Sequence, residues 1–130
     1  MSELRTTPID PAAAPEASGG YAQGVAVDGA QRLLFISGQI PVDRAGNTPD
    51  DFEAQARLVW ANLLATLAEA DLKVENLVKV TTYLSSREYA AANSAVRREV
   101  LGAHRPALTV VLAGIFDEAW LLEIEAIAAG

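Results

Sequence analysis

Glu123 and Glu125 stand two apart in the run Leu-Glu-Ile-Glu-Ala-Ile-Ala. In an extended strand, side chains at i and i+2 point the same way, so the two carboxyls share one face with unequal burial. A partly buried carboxylic acid can give or take a proton near neutral pH, because burial penalises its charged form. The plain alternative is two charges on a wet sheet face. Far upstream, Ser37-Gly38-Gln39 runs on from the apolar Leu33-Leu34-Phe35-Ile36 and leads into Ile40-Pro41. A glycine at a strand end marks a place where a ligand or another backbone comes close, since no Cβ keeps it away. The flanking hydroxyl and amide would give that approach a polar lining. Taken alone, Ser37 is a strand-end hydroxyl and Tyr21 a loop aromatic after Gly19-Gly20. His104 reads as a helix C-terminal residue interacting with the dipole. With no Cys and one His, a nucleophile–base pair of the protease type has little support.

Composition narrows the rest. At 51% hydrophobic and 21% charged residues, the chain reads as an ordinary globular protein rather than a disordered one. Its 130 residues are expected to form one domain spanning 1–130 that buries roughly 65–70% of its unfolded surface. The missing cysteines exclude disulfides and thiolate metal sites, and one histidine cannot build a multi-histidine zinc site. No metal or cofactor is therefore expected. A formal charge of −7 argues against a nucleic-acid backbone as partner. Arg97, Arg98 and Arg105 are close in sequence, yet they read first as a solvated helix end. No apolar run of about 18 residues and no signal-peptide core occur, so no membrane partner is expected and the cytoplasm is the expected compartment.

The elements that must position these side chains follow from pattern. Residues 8–20 carry three prolines and read as an extended connection. Strands are expected over 22–27 and 32–37, joined as a hairpin by Asp28-Gly29, with one more strand near 4–7. Residues 43–47 form a loop. Thr48-Pro49-Asp50-Asp51 looks like a helix start, with Thr48 as N-cap and Pro49 at the first helical position. Behind it Phe52, Ala56, Val59, Leu63 and Leu67 recur at helical spacing, and the helix should end near 70–71. Leu77–Leu84 alternates as a strand. Ser85 and Glu88 suggest a capping box for a second helix, with Tyr89, Ala92, Val96 and Val100 buried and Gly102 closing it. Strands over Ala107–Leu112 and 121–128 complete an α+β order. Two helices cannot cover both faces of a sheet of five or six strands, so both should pack on one face. In the last strand Leu122, Ile124 and Ala126 share one parity. The other parity is mixed, which suits a subunit interface better than a solvated surface.

The tracts GGYAQGVAV, FISGQIPVD, LVKVTTYL and LEIEAIA together resemble the Rid (YjgF/YER057c/UK114) family, from Gly20 almost to the end of the chain. The resemblance implies a chorismate-mutase-like subunit assembled as a homotrimer, with small-molecule clefts between subunits. It also implies hydrolysis of reactive enamine or imine intermediates to 2-oxo acids and ammonia. By the same resemblance Glu123 is the expected catalytic residue, Tyr21 and Ser37 are cleft positions, and Gly38 and Asn93 lie nearby.

One tract departs from the pattern. Where the deaminase branch reads Pro-Ala-Arg-Ser-Cys, this chain has Pro106-Ala107-Leu108-Thr109-Val110. Leucine replaces the carboxylate-clamping Arg, and valine the Cys. Arg105 is a poor substitute, because three residues away means the opposite strand parity and about 10 Å of chain. Losing one partner of a desolvated charge pair costs about 2–5 kcal/mol, roughly 30- to several-thousand-fold for a carboxylate substrate. Leu108 and Val110 are thus expected as an apolar cleft wall. The expectation is a hydrolase for a small neutral imine or enamine, poor on 2-imino acids. Its rival is a non-catalytic trimer that binds a metabolite or a protein.

Overall fold

The computed structural model describes residues 3–130. Six strands and two longer helices occur in the order β1 (Arg5–Ile9), β2 (Gly24–Asp28), β3 (Leu33–Gln39), α1 (Phe52–Glu69), β4 (Leu77–Leu84), α2 (Ala90–Leu101), β5 (Ala107–Leu112) and β6 (Leu122–Ala129). The main sheet has the order β3-β6-β4-β5. β6 is antiparallel to both of its neighbours, while β4 and β5 are parallel and joined through α2, as a parallel pair requires a crossover. Both helices pack on one face of this sheet, as the pattern predicts. No helix among the described residues is long and apolar enough to cross a membrane.

The core lies between that face and the helices. Val80, Leu84, Leu122 and Ile124 from the sheet meet Val59, Leu63 and Val96 from the helices. The whole expected stripe of α1 is buried, with Trp60 added. Its start differs from expectation. Asp51, not Thr48, is the N-cap, its carboxylate accepting from the Ala54 amide at 3.0 Å. Pro49 lies before the helix, and its carbonyl accepts from Gln55 Nε2 at 2.8 Å.

α2 also starts later. Ser86 rather than Ser85 caps a single 3-10 turn, Arg87–Tyr89, and the α-helix follows it. Tyr89 stacks on Phe52, with centroids 4.7 Å apart. The tighter turn shifts the phase of the helix, so Asn93, Val96, Arg97 and Leu101 face inward and Ala92 does not. Gly102 closes α2 at φ 58, in the region that favours glycine, with its amide donating to Arg98 O.

The expected hairpin between the second and third strands is not formed. Gly29 does turn the chain, at φ 74, but β2 pairs with β1 and β3 pairs with β6. A turn signal is local and does not choose the partner strand. Pro8, expected in the connection, falls inside β1, where an edge strand can spare an amide.

Candidate active site

β3 carries a bulge at the Ser37-Gly38 step. From Ile36 to Gln39 it advances three residues while β6 goes from Ala126 to Ile124, two residues. The extra residue breaks the ladder beside Glu123. Gly38 leaves room for the Glu123 carboxylate there, since a Cβ would lie 1.8 Å from Glu123 Oε2 and 2.7 Å from its Cδ and push that side chain aside. The segment after the bulge is tied to α1, where Asn62 Nδ2 donates to the carbonyls of Ile40 and Val42, each at 3.1 Å. Ser37 is exposed, its carbonyl accepting from Gln39 Nε2 at 2.9 Å.

Glu123 and Glu125 lie on the sheet face away from the helices, half-buried, beside Tyr83 and Thr81 of β4. Tyr83 donates its hydroxyl proton to Glu125 Oε1. That hydrogen bond, burial and the two glutamate charges push the Tyr83 phenol upward, so it stays protonated. Glu125 is thereby occupied, and Glu123 is left as the carboxylate without a partner among the described residues. Both border a cavity of about 400 Å³ that Gly38, Tyr83, Gly114 and Ile115 help to line. Lys79, further along the same face, donates to Thr109 Oγ1; burial lowers its pKa and Glu125 opposes the shift.

Gln55 was not singled out by spacing. It is 1% exposed on the apolar stripe of α1. Its Nε2 donates to Ala119 O at 3.0 Å and its Oε1 accepts from the Leu121 amide at 2.8 Å. This fixes the chain where it enters β6, two residues before Glu123. A polar residue inside an otherwise apolar stripe was the available signal.

The remaining expected site residues sit on the other side of the sheet. Leu108 pairs in register with Val80 and Val110 with Thr82, so both belong to the helix-side parity. Leu108 packs against the core and Val110 is exposed at the edge. Asn93 is buried on α2. Tyr21 lies alongside the start of β5, where Ala22 bridges to Ala107, and its carbonyl accepts from Arg105 Nε and Nη2 at 3.1 and 2.8 Å. Within one chain the structure therefore brings Gly38 and Glu123 together, but does not bring Leu108 and Val110 to them as a wall. His104 lies past the end of α2, with Nε2 2.7 Å from Leu77 O.

A two-helix layer on one face of a mixed sheet, with a glutamate seated over a glycine bulge, defines an α+β subunit of the YjgF type. The family model described as Endoribonuclease L-PSP matches residues 11–130, and the chain belongs to this Rid (YjgF/YER057c/UK114) family. It is 36% identical over 117 residues to a RutC family protein of Pyrococcus horikoshii, covering 88% of this chain and 90% of that one. TdcF of Escherichia coli, provisionally described as a reactive intermediate deaminase, is 34% identical over 124 residues, covering 92% and 94%. Among solved structures, YyfB of Yersinia pestis, a Rid protein of unknown function, superposes with a TM-score of 0.85 at 27% identity over 96% of this chain and 98% of that one. TdcF with bound serine gives 0.72 at 34% identity, over 95% and 98%.

Proposed function

We propose that this protein hydrolyses a small neutral imine or enamine to a carbonyl compound and ammonia, in clefts between the subunits of a cytoplasmic homotrimer. The observation that carries the reading is the unpartnered Glu123 carboxylate seated over Gly38 at the rim of a cavity. Glu123 takes a proton from water as the oxygen attacks the C=N carbon. It then returns that proton to the nitrogen, and the carbinolamine collapses to C=O as its hydroxyl proton passes through Glu123 to the nitrogen, which leaves as ammonia. Ser37 and Tyr21 supply hydrogen bonds, Asn93 backs this lining from its buried place on α2, and Leu108 and Val110 offer an apolar wall.

The two-sided placement of these residues supports an assembly. Glu123 on the open face and Tyr21, Asn93, Leu108 and Val110 on the helix side meet only if the β5 edge of one subunit abuts the open face of the next. Such a head-to-tail contact closes into a ring rather than a two-fold dimer. Apolar surface is present on both sides of it: Phe35 is 70% exposed on the open face, and Val110, Val111 and Leu112 are each at least 40% exposed on β5. The relative TdcF was solved with serine bound, which supports a small-molecule ligand. Replacement of the clamping Arg by Leu108 argues for substrates without a carboxylate.

Two measurements test this. Sedimentation equilibrium should give three times the chain mass of 13.7 kDa at micromolar concentration; a monomer would overturn the assembly. Ammonia and carbonyl release from enzymatically generated imines, with and without a carboxylate, should be faster for the neutral ones. No acceleration of either kind would favour the binding-module reading.

A further inference from the structure

The turn Gly19-Gly20-Tyr21 is surrounded by arginines in a chain whose formal charge is −7. The side chain of Arg98 passes Gly20, with its Cγ and Nε each 3.9 Å from the glycine's Cβ position. Arg105 holds the Tyr21 carbonyl and forms an ion pair with Asp10 at 3.2 Å. Arg97 differs from both. It projects from the inward face of α2, one helical turn after Asn93, and only 5% of it is exposed. Its Nη2 donates to Gly19 O at 2.9 Å, while Nε is buried with no hydrogen-bond partner among the described residues. Among the described residues it forms no ion pair. Burial and the charge of Arg98 both work against its protonated form.

A guanidinium does not shed its proton to escape this position, and a buried cation lacking a counter-charge is among the costliest groups a fold can carry. The Nε and Nη2 protons lie on one edge of the guanidinium plane and match two oxygens of a carboxylate or phosphate. One of those donors is unused and the other is held only by a neutral carbonyl, on a segment with two consecutive glycines. Gly20 has φ +76, so the turn is built from residues with little steric resistance to moving.

We propose that Arg97 and the Gly19-Gly20 turn form a binding site for a small oxyanion, the carboxylate or phosphate group of a metabolite. The anion takes the Nε/Nη2 edge, displacing the Gly19 carbonyl, and Arg98 adds to the attractive field. The site lies between α2 and the segment before Tyr21, on the side of the sheet opposite Glu123, and it does not rest on the imine reading. A chain that turned over no imine would still bind the anion.

The test is a titration of the full chain with sodium phosphate, acetate and 2-oxobutanoate against sodium chloride at matched ionic strength. It is followed by calorimetry and by the NMR signals of the Arg97 Nε–H and the Gly19 and Gly20 amides. Expected is saturable binding of at least one of the three anions, with those signals shifting together. The phosphate and carboxylate arms identify the group preferred. Arg97→Met should weaken binding at least tenfold, and Arg97→Lys, which keeps charge without the two-pronged edge, should fall between. If Arg97→Met does not fold, the Arg97 Nε–H signal of the unmodified protein decides alone. No saturable response to any anion, undiminished affinity in Arg97→Met, or binding of a single-stranded RNA oligonucleotide without any small-anion response would overturn the proposal.

Discussion

The Glu123 corner on the open face and the Tyr21 corner on the helix side are built by different means. At Glu123 the backbone does the work: a one-residue bulge, a glycine without Cβ, and two amide side chains, Gln55 and Asn62, that tether the flanking segments. The carboxylate itself is left without a partner among the described residues. At Tyr21 side chains do the work. Arg97 and Arg105 grip the carbonyls of Gly19 and Tyr21, and the ring folds back over Gly19, where a Cβ would lie 3.0 Å from Tyr21 Cε1. The first corner leaves an acid free on a rigid frame; the second leaves a cation free beside a deformable one. In one chain they are separated by the thickness of the sheet, so a ligand that needs both requires two subunits.

The largest effect should come from removing the acid. Glu123→Gln keeps shape and removes proton transfer, so turnover of any imine the wild type accepts should fall by about 10²–10⁴. The oligomer should be unchanged. Full activity in Glu123→Gln, measured as ammonia release, would leave the open-face corner without its assigned chemistry.

The tethers come next. Gln55→Leu leaves the Pro49 and Ala119 carbonyls and the Leu121 amide without this partner in a region the side chain fills. At about 1–3 kcal/mol for each of the three stranded polar groups, a loss of about 3 kcal/mol or more is expected from chemical denaturation. A change below about 0.5 kcal/mol, the range of ordinary surface substitutions, would mean that the entry to β6 is held by other contacts.

Gly38→Ala sharpens the comparison at smaller cost to the fold. The new methyl collides with the end of a flexible glutamate rather than with backbone, so the chain should fold while Glu123 swings away from the bulge. A displacement of about 1 Å is enough to lower turnover by about a hundredfold. Wild-type turnover in a folded Gly38→Ala protein would show that the position of the carboxylate over the bulge is irrelevant.

How much of this was legible before the structure follows the same division. The strands Leu77–Leu84 and Ala107–Leu112 and the stripe of α1 were readable because a period of two or 3.6 survives in any window that contains the element. The Ser37-Gly38 step was readable because glycine at a strand end has few purposes. Three features were not. The partner of β2 depends on which edge is free, and Asp28-Gly29 carries no such information. The face of α2 depends on a 3-10 turn that rotates the helix, so the burial of Arg97 could not be derived from spacing. That Leu108 and Glu123 lie on opposite faces of one subunit was the third, because strand facing is defined only once the register between β4 and β5 is known. Pairing of Val80 with Leu108 and of Tyr83 with Glu123 puts them on opposite faces.

The smallest predicted effect tests whether that opposite face matters to chemistry at all. Leu108→Arg places a guanidinium on the edge strand where the deaminase branch has its clamp. It has to do so at a half-buried position packed against the core, next to Val110. Part of the new side chain can leave along the edge, because past the single bridge of Ala22 to Ala107 no named strand pairs with the outer side of β5 among the described residues. Of the ~2–5 kcal/mol that a desolvated charge pair is worth, only a fraction should be recovered, so a gain of about tenfold in kcat/KM for 2-imino acids is expected. Affinity for neutral ligands should fall, since a charge then replaces part of the apolar wall. The measurement is 2-oxo-acid formation from enzymatically generated 2-iminobutanoate, at equal protein concentration and with the oligomer verified for both proteins. A wild type already as fast as Arg-bearing relatives would remove the argument from the missing clamp. A gain in Leu108→Arg that Glu123→Gln then abolishes would tie the two faces to one reaction, which one chain cannot perform alone.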